Sequence, residues 1–161
     1  MSDEQYFYSI PGLMHELKAL PKETEWIEFK ANRADPQEIG EYLSALSNSA
    51  SLHGKSCGYI LWGLEDKTHK IIGTTFRPRQ AKIGNEELEN WLLTQLDPRV
   101  DVRIHEGDID GVHIVIFAVQ AALDRPVRFK GIEYIRIGSY KKKLHEHPEK
   151  ERACLGCSVC E

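Results

Sequence analysis

The chain is built around one short stretch near its beginning, Glu23-Thr24-Glu25-Trp26-Ile27-Glu28-Phe29-Lys30. Successive side chains of a β-strand point to opposite faces of a sheet, so Ile27 and Phe29 share one face while Trp26, Glu28 and Lys30 share the other. We therefore predict a strand with an apolar face for the core and an acid beside a base on the opposite face. Such a pair suits phosphate chemistry, because a carboxylate can hold a divalent cation and a lysine can neutralise a phosphate.

The composition is typical of one globular domain, with 161 residues of which 41% are hydrophobic and 29% are charged. No stretch has the length of a membrane-spanning helix, and residues 1–5 lack the order of a signal peptide. We therefore expect a cytoplasmic protein that does not associate with a membrane. The formal net charge of −4 argues against attraction of nucleic acid by the whole surface, so such binding requires a local basic patch.

Hydrophobic spacing predicts the first half of the fold. Apolar residues from Leu13 to Leu20 indicate a short helix, and a longer helix begins near Asp35-Pro36 and ends near Gly54. Residues 58–64 have the composition of a central strand. A polar turn follows, and it predicts a hairpin with Asp66 at its tip.

The second half is predicted in the same way. Asn85, followed by two glutamates, indicates a helix start, and tight turns at Asp110-Gly111 and Lys130-Gly131 indicate two hairpins. Residues 139–143 are expected to begin a polar helical tail. These elements predict a single α+β domain over residues 1–150, with a mixed, mainly antiparallel sheet and about three packing helices.

The last residues, 151–161, are expected to form a poorly ordered tail that contains Cys154-x-x-Cys157-x-x-Cys160. Three cysteines at this spacing match part of an iron–sulfur or zinc site, but the sequence offers no clear fourth ligand. We assign no metal to them.

Several short motifs occur in a fixed order: Glu23-x4-Glu28-Phe29-Lys30, Ser44-Ala45-Leu46-Ser47-Asn48, Gly58-Tyr59-Ile60-Leu61-Trp62-Gly63-Leu64-Glu65-Asp66, Ile72-Gly73 and Tyr134-Ile135-Arg136-Ile137-Gly138-Ser139. Together they resemble the Schlafen-type AlbA-like domain, from about Leu20 to Lys150. The resemblance implies an α+β domain that binds nucleic acid. In the animal Schlafen members, it implies a metal-dependent endoribonuclease that acts on tRNA and rRNA.

The resemblance also implies a site. The acidic triad of the Schlafen nucleases corresponds to Glu23, Glu28 and Asp66, as catalytic and metal-binding residues with magnesium or manganese, and the accompanying lysine is Lys30. Because Glu23 and Glu28 are five positions apart, a shared site requires a bend between them. The chain has no Walker phosphate loop, so we predict no ATP site.

Two other interpretations of these acids stay open. In the first they are structural: Asp66 is a turn residue, and Glu28 pairs with Lys30 or with an arginine. In the second, Glu28-Phe29-Lys30 is the Glu-x-Lys element of restriction-type nucleases, although those enzymes usually carry their other acid on an earlier strand.

The best candidates for nucleic-acid contacts are the basic and aromatic residues of the last third of the chain: Arg125, Arg128, Lys130, Tyr134, Arg136, Tyr140, Lys141, Lys142 and Lys143. Arginine and lysine can position phosphates, and tyrosine can stack on unpaired bases. The alternative is a solvated strand face followed by a basic helix start, because three consecutive lysines cannot all point one way.

Three functions therefore remain. The first is a nucleic-acid-binding Schlafen-like domain with endoribonuclease activity, for which RNA is favoured over DNA. The second is a non-catalytic DNA-binding domain of a transcriptional-regulator-like protein. The third is an oligomerisation module that pairs with a second copy or a partner through a sheet edge or the tail.

Overall fold

The protein is described by a computed structural model that covers residues 12, 15, 24–65 and 67–156. The predicted helix from Leu13 to Leu20 lies, except for residue 15, outside the described residues, as do Glu23, Asp66, Cys157 and Cys160. None of the described helices has the length and apolar character needed to cross a membrane.

In chain order, the described elements are β1 (Ile27–Lys30), α1 (Pro36–Leu52), β2 (Cys57–Trp62), β3 (Lys82–Ile83), β4 (Glu86–Glu87), α2 (Leu88–Gln95), β5 (Leu96–Asp97), β6 (Val102–Ile109), β7 (Val112–Gln120), β8 (Arg128–Phe129), β9 (Ile132–Ile137), β10 (Tyr140–Lys143), a 3-10 turn (Leu144–Glu146) and α3 (Pro148–Gly156). Together they form an α+β domain with mixed sheets, which confirms the predicted fold class.

The first sheet has four strands in the order β1, β2, β7 and β6. The pair β1 and β2 is parallel, whereas the other two pairs are antiparallel. Ile27 and Phe29 are buried on one face with Leu61 and Ile116, as the alternation in β1 predicts. Trp26 was wrongly placed on the opposite face: it packs against this cluster, because the strand alternation begins only at Ile27. The central position of β2 and the turn of the β6 and β7 hairpin at residues 110–111 are confirmed as well.

Helix α1 lies between this sheet and a second four-stranded sheet, in the order β10, β9, β8 and β5. The helix begins where the Asp35 carboxylate accepts a hydrogen bond from the backbone N–H of Glu38, and Pro36 occupies the first turn, as the sequence predicts. It lies so close to β2 that a Cβ added to Gly58 would be 2.6 Å from the carbonyl oxygen of Leu46. A side chain at Gly58 would therefore push the helix off the sheet.

A row of small polar side chains fixes α1 to the second sheet. The Asn48 amide donates to the carbonyl oxygens of Val127, at 2.9 Å, and Tyr134, at 2.8 Å, and its oxygen accepts the N–H of Val127. Ser44 and Ser49 accept the N–H groups of Tyr134 and Arg136. Ser47 donates instead to the carbonyl oxygen of Gln120 at the end of β7, in the first sheet. We call Ser44, Ser47, Asn48 and Ser49 the polar row. Because these side chains are buried, their hydrogen bonds position β9 along the helix.

Three further local predictions were wrong. Helix α2 begins at Leu88 instead of Asn85, because Glu86 and Glu87 form β4 and pair with β3. The hairpin expected around Asp66 is reduced to a single bridge between Leu64 and Ile71. Residues 140–143 form β10 instead of a helix, because Gly138 takes a left-handed turn and the lysines then pair antiparallel with β9.

Helix α3 lies across the predicted boundary at residue 150. Cys154 belongs to this helix and is partly buried. The arrangement of the complete cysteine motif is not described, since Cys157 and Cys160 lie outside the described residues.

Candidate functional site at the junction of the two sheets

Strand β1 turns Glu28 and Lys30 toward α1, because its other face is buried with Ile27 and Phe29. The two polar side chains thus share one face of the strand, as the sequence predicts. Each has a partner on a different element, so the acid and the base do not simply neutralise one another.

The partner of Glu28 is Arg136 on β9. Arg136 Nη1 is 2.8 Å from Glu28 Oε2, and the same nitrogen donates to the carbonyl oxygen of Ile27 at 3.2 Å. The side chain of Arg136 is 4% exposed and that of Glu28 is 15% exposed. This buried pair joins the edge of the first sheet to the second sheet, and its strength is increased by the low local dielectric.

The partner of Lys30 is Glu38 in the first turn of α1. Lys30 Nζ is 2.9 Å from Glu38 Oε1, and Arg33 Nε is 2.8 Å from Glu38 Oε2. One carboxylate therefore binds a cation from β1 and a second cation from the loop that precedes the helix.

One turn later, Glu41 ties α1 to β10. Its carboxylate is 2.7 Å from Lys141 Nζ and accepts hydrogen bonds from Gln37 and from the Tyr134 hydroxyl. Burial opposes ionisation of Glu41, but the hydrogen bonds from Lys141 and Gln37 outweigh it and lower the pKa of this carboxyl. Burial and the adjacent Glu41 raise the pKa of Tyr134.

The Tyr42 ring lies among the cations of these pairs. Lys141 Nζ is 4.6 Å from its centroid, Lys30 Nζ is 4.7 Å away, and the Arg136 guanidinium carbon is 6.0 Å away. We call this set the charged network: Glu28, Lys30, Glu38, Glu41, Tyr42, Arg136 and Lys141. It joins β1, α1, β9 and β10 through alternating charges.

The predicted metal site is only partly visible. Glu23 and Asp66 lie outside the described residues, and no group of three His, Cys, Asp or Glu that could hold a metal occurs in residues 24–65 and 67–156. Glu28, the described member of the triad, binds Arg136, whose positive charge disfavours a cation at the same oxygen. Because two of its three carboxylates lie outside the described residues, the predicted metal site stays a prediction.

The structure divides the predicted nucleic-acid residues among three places. Tyr134 and Arg136 are buried on β9, where their side chains are engaged by Glu41 and Glu28. Tyr140, Lys141, Lys142 and Lys143 lie on β10, at one edge of the second sheet. Arg125, Arg128 and Lys130 lie on or beside β8, near the opposite edge.

The group near β8 already has partners. Arg125 and Arg128 approach the Asp97 carboxylate at 3.3 and 3.5 Å, and Lys130 Nζ lies 4.7 Å from the Trp91 ring centroid. A shared acid reduces the positive potential that these arginines could offer to a phosphate.

The group on β10 is more accessible. Tyr140 is 69% exposed, and Lys142 Nζ lies 5.7 Å from its ring centroid, so the two project from the same face of the strand. Lys143 is also exposed, whereas Lys141 is held by Glu41. Within the described part of the chain, no carboxylate pairs with Lys142 or Lys143.

The model of the Schlafen AlbA_2 family matches residues 23–145, which is more than half of the chain. The chain belongs to this family. The match includes β1, α1, β9 and β10, so the charged network and the polar row both lie within the Schlafen AlbA_2 domain. No curated protein sequence matches the chain.

Two solved structures are similar to this Schlafen AlbA_2 domain. A crystal structure of a protein from Corynebacterium diphtheriae is 19% identical, with a TM-score of 0.55, over 94% of this chain and 29% of that one. The N-terminal domain of a RecG-related ATP-dependent DNA helicase protein from Nitrosomonas europaea is 22% identical, with a TM-score of 0.48, over 80% of this chain and 88% of that one. The first likeness shows a shared fold, and the chain spans less than a third of that protein's length.

Sequence reasoning missed three members of the charged network, namely Glu38, Glu41 and Tyr42. The sequence did contain a signal for them. Residues three and four apart on a helix share a face, so a helix that begins at Asp35 places Glu38, Glu41 and Tyr42 on one face. This signal could have identified the acids of α1 as partners for the cations of neighbouring strands.

Proposed function

We propose that the chain is a nucleic-acid-binding domain that contacts its ligand through β10. The observation that carries this proposal is the exposure of edge strand β10, where Tyr140 and Lys142 lie on one face and Lys143 lies on the other. Lysines at such an edge can approach phosphates without a competing carboxylate, and an exposed ring beside them can stack on a base.

The charge distribution supports a local contact of this kind. The chain carries a formal net charge of −4, so its whole surface does not attract a polyanion. Two acids near β10 are already neutralised, since Glu28 binds Arg136 and Glu41 binds Lys141. Lys142 and Lys143, for which the described residues provide no carboxylate partner, leave positive charge on β10.

The test is a fluorescence-anisotropy titration of labelled tRNA and labelled single-stranded DNA at several salt concentrations. The variant Lys142→Gln with Lys143→Gln should bind more weakly, and its slope of log K against log salt should fall by about 0.7–0.9 for each phosphate that the protein no longer neutralises. The matched control is Lys70→Gln with Lys82→Gln, which removes two exposed lysines elsewhere. Equal weakening in both double variants would contradict binding through β10.

A finer function is a metal-dependent endoribonuclease that uses Glu23, Glu28 and Asp66 with Lys30, and magnesium or manganese. It is supported by family membership and by the shared orientation of Glu28 and Lys30 on β1. When bound, such a metal would polarise a phosphate and lower the pKa of a water molecule. Arg136 would then have to give up part of its contact with Glu28.

Cleavage of tRNA in the presence of manganese tests this activity. Metal-dependent cleavage by the wild-type chain that disappears in Glu28→Gln would support it. Because this change also removes the charge that pairs with buried Arg136, the unfolding midpoint of the variant must be measured in parallel, and Glu38→Gln serves as a control for loss of a network acid. Salt-sensitive binding without cleavage would favour the regulatory DNA-binding domain, and neither binding nor cleavage would favour the oligomerisation module.

A further inference from the structure

A second pair of an aromatic ring and a lysine lies beside the beginning of β1. Lys55 Nζ is 5.0 Å from the Trp26 ring centroid, and the His53 ring lies 5.2 Å away at a tilt of 44°. Trp26 is only partly buried, while His53 and Lys55 are exposed. As in the Tyr140 and Lys142 pair on β10, a lysine ammonium lies over one face of the ring, which leaves the other face for a stacked base.

Glu25 joins these two pairs. Its carboxylate accepts the backbone N–H of Gly138 at 2.6 Å, and its other oxygen is 2.8 Å from His53 Nε2. Trp26 follows Glu25 directly, and Tyr140 is two residues beyond Gly138, a separation of at most about 7 Å along an extended backbone. The two aromatic rings therefore lie on neighbouring segments on either side of the turn at Gly138.

The acid between the two pairs is compensated. Burial opposes ionisation of Glu25, yet the hydrogen bonds from Gly138 and His53 lower the pKa of its carboxyl, and Lys150 adds to this shift. No carboxylate of the described residues pairs with Lys55, Lys142 or Lys143. An exposed cation thus accompanies each ring, while Glu25 between the two pairs is engaged by Gly138 and His53.

We propose that this strip, formed by Trp26, Lys55, Tyr140 and Lys142, binds single-stranded RNA or DNA by stacking bases on its two rings. Stacking on aromatic side chains requires unpaired bases, because the faces of paired bases are covered within a duplex. The lysines contact the backbone between the stacked bases. The proposal rests on the proposed function and adds to it the class of nucleic acid and the contribution of Trp26.

The experiment compares a 12-nucleotide strand with its blunt duplex, as RNA and as DNA, by anisotropy and by tryptophan emission. The single strand should bind at least 10-fold more tightly than the duplex and quench emission, and Trp26→Phe should remove most of the quenching. Tyr140→Ala should weaken single-strand binding about 10-fold, since stacking of one base contributes on that scale, and should leave duplex binding unchanged. Tyr140→Phe, which keeps a ring, should restore the affinity.

The two proposals fail in different ways. Equal affinity for single strand and duplex, or full affinity in Tyr140→Ala, overturns base stacking but leaves binding that depends on Lys142 and Lys143 intact. Absence of binding to every nucleic acid overturns both. Weaker binding by Tyr140→Ala that Tyr140→Phe does not restore would also contradict stacking, because it would indicate a hydroxyl contact. The strand that binds with higher affinity, RNA or DNA, identifies the kind of nucleic acid that the domain recognises.

Discussion

The two halves of α1 are both polar where they meet the neighbouring strands, but they are built from different groups. The second half carries the polar row, whose neutral side chains bind backbone groups and are fully buried. The first half carries Glu38 and Glu41, which bind lysines and are only partly buried. Neutral hydrogen bonds in a buried place select one arrangement, whereas partly exposed charges respond to pH, salt and ligands.

The largest effect should come from Asn48→Ala, which breaks three hydrogen bonds at once. Backbone groups of Val127 and Tyr134 would be left without partners in a buried place, so we expect the free energy of unfolding to fall by roughly 3 kcal/mol. Urea denaturation measures it, with an unchanged m-value as evidence for the same unfolded state. The control is Ser51→Ala on the same helix, with an expected change within about 0.5 kcal/mol. A decrease below about 1 kcal/mol for Asn48→Ala would contradict the role of the polar row.

The next effect concerns the most buried ion pair of the charged network. Arg136→Met should lower the free energy of unfolding by about 2 kcal/mol, because it leaves the Glu28 carboxylate without its closest cation. Part of that carboxylate reaches solvent, which reduces the cost below that of a fully buried charge. A double-mutant cycle with Glu28→Gln should give a coupling energy above about 1 kcal/mol. Additive effects of the two changes would argue that the ion pair contributes nothing to stability.

A smaller effect should appear as acid sensitivity. The folded-state pKa of Glu41 is lowered, so its stabilising contribution is fully present above the ordinary value of 4.5 and is lost as pH falls through the folded pKa. Glu41→Gln should therefore lower Tm near neutrality and reduce the further drop between about pH 6 and about pH 3.

Glu133 provides a control of opposite sign for this measurement. Burial raises the pKa of Glu133 although Arg128 opposes the shift, so ionisation of this carboxyl costs stability as pH rises. Glu133→Gln should keep or raise Tm near neutrality. A lower Tm in both variants would contradict the electrostatic origin of the effect and indicate a general loosening of the packing.

The smallest effect should come from Arg33→Ala, at the rim of the charged network. The Arg33 side chain is 78% exposed, so its interaction with Glu38 is screened by water and salt. We expect a change within about 0.5 kcal/mol at low salt, and less in 1 M sodium chloride. A change as large as that of Arg136→Met would erase the distinction between the buried and exposed parts of the network.

Much of the fold could be predicted because its signals are local. The alternation of Ile27 and Phe29, the Asp35-Pro36 helix start and the turns of the hairpins depend on residues close in sequence. The lysines of β10 gave the wrong prediction, because their local preference is weak and the pairing with β9 decided their conformation. The helix start predicted at Asn85 was wrong for the same reason, because Glu86 and Glu87 pair with β3.

The candidate site was less predictable than the fold. The shared face of Glu28 and Lys30 follows from strand alternation, but the partner of Glu28 is 108 residues away. No local spacing indicates that Arg136 turns inward while Lys142 and Tyr140 face outward, since this depends on which face of β9 and β10 meets α1. The contact between Lys55 and Trp26 was missed because it joins the end of α1 to the segment before β1.

The parallel pairing of β1 with β2 has a consequence for the time course of folding. The β6 and β7 hairpin closes through a two-residue turn, whereas β1 and β2 are separated along the chain by the 17 residues of α1 and its flanking loops. Non-local pairings of this kind form slowly, because chain entropy is lost before new interactions compensate for it. Glu28 meets Arg136 and Trp26 approaches the Gly138 turn only through such pairings. Strand β10 pairs locally with β9, so the part of the nucleic-acid surface that we expect to form late is the approach of Trp26 and Glu25 to the Gly138 turn.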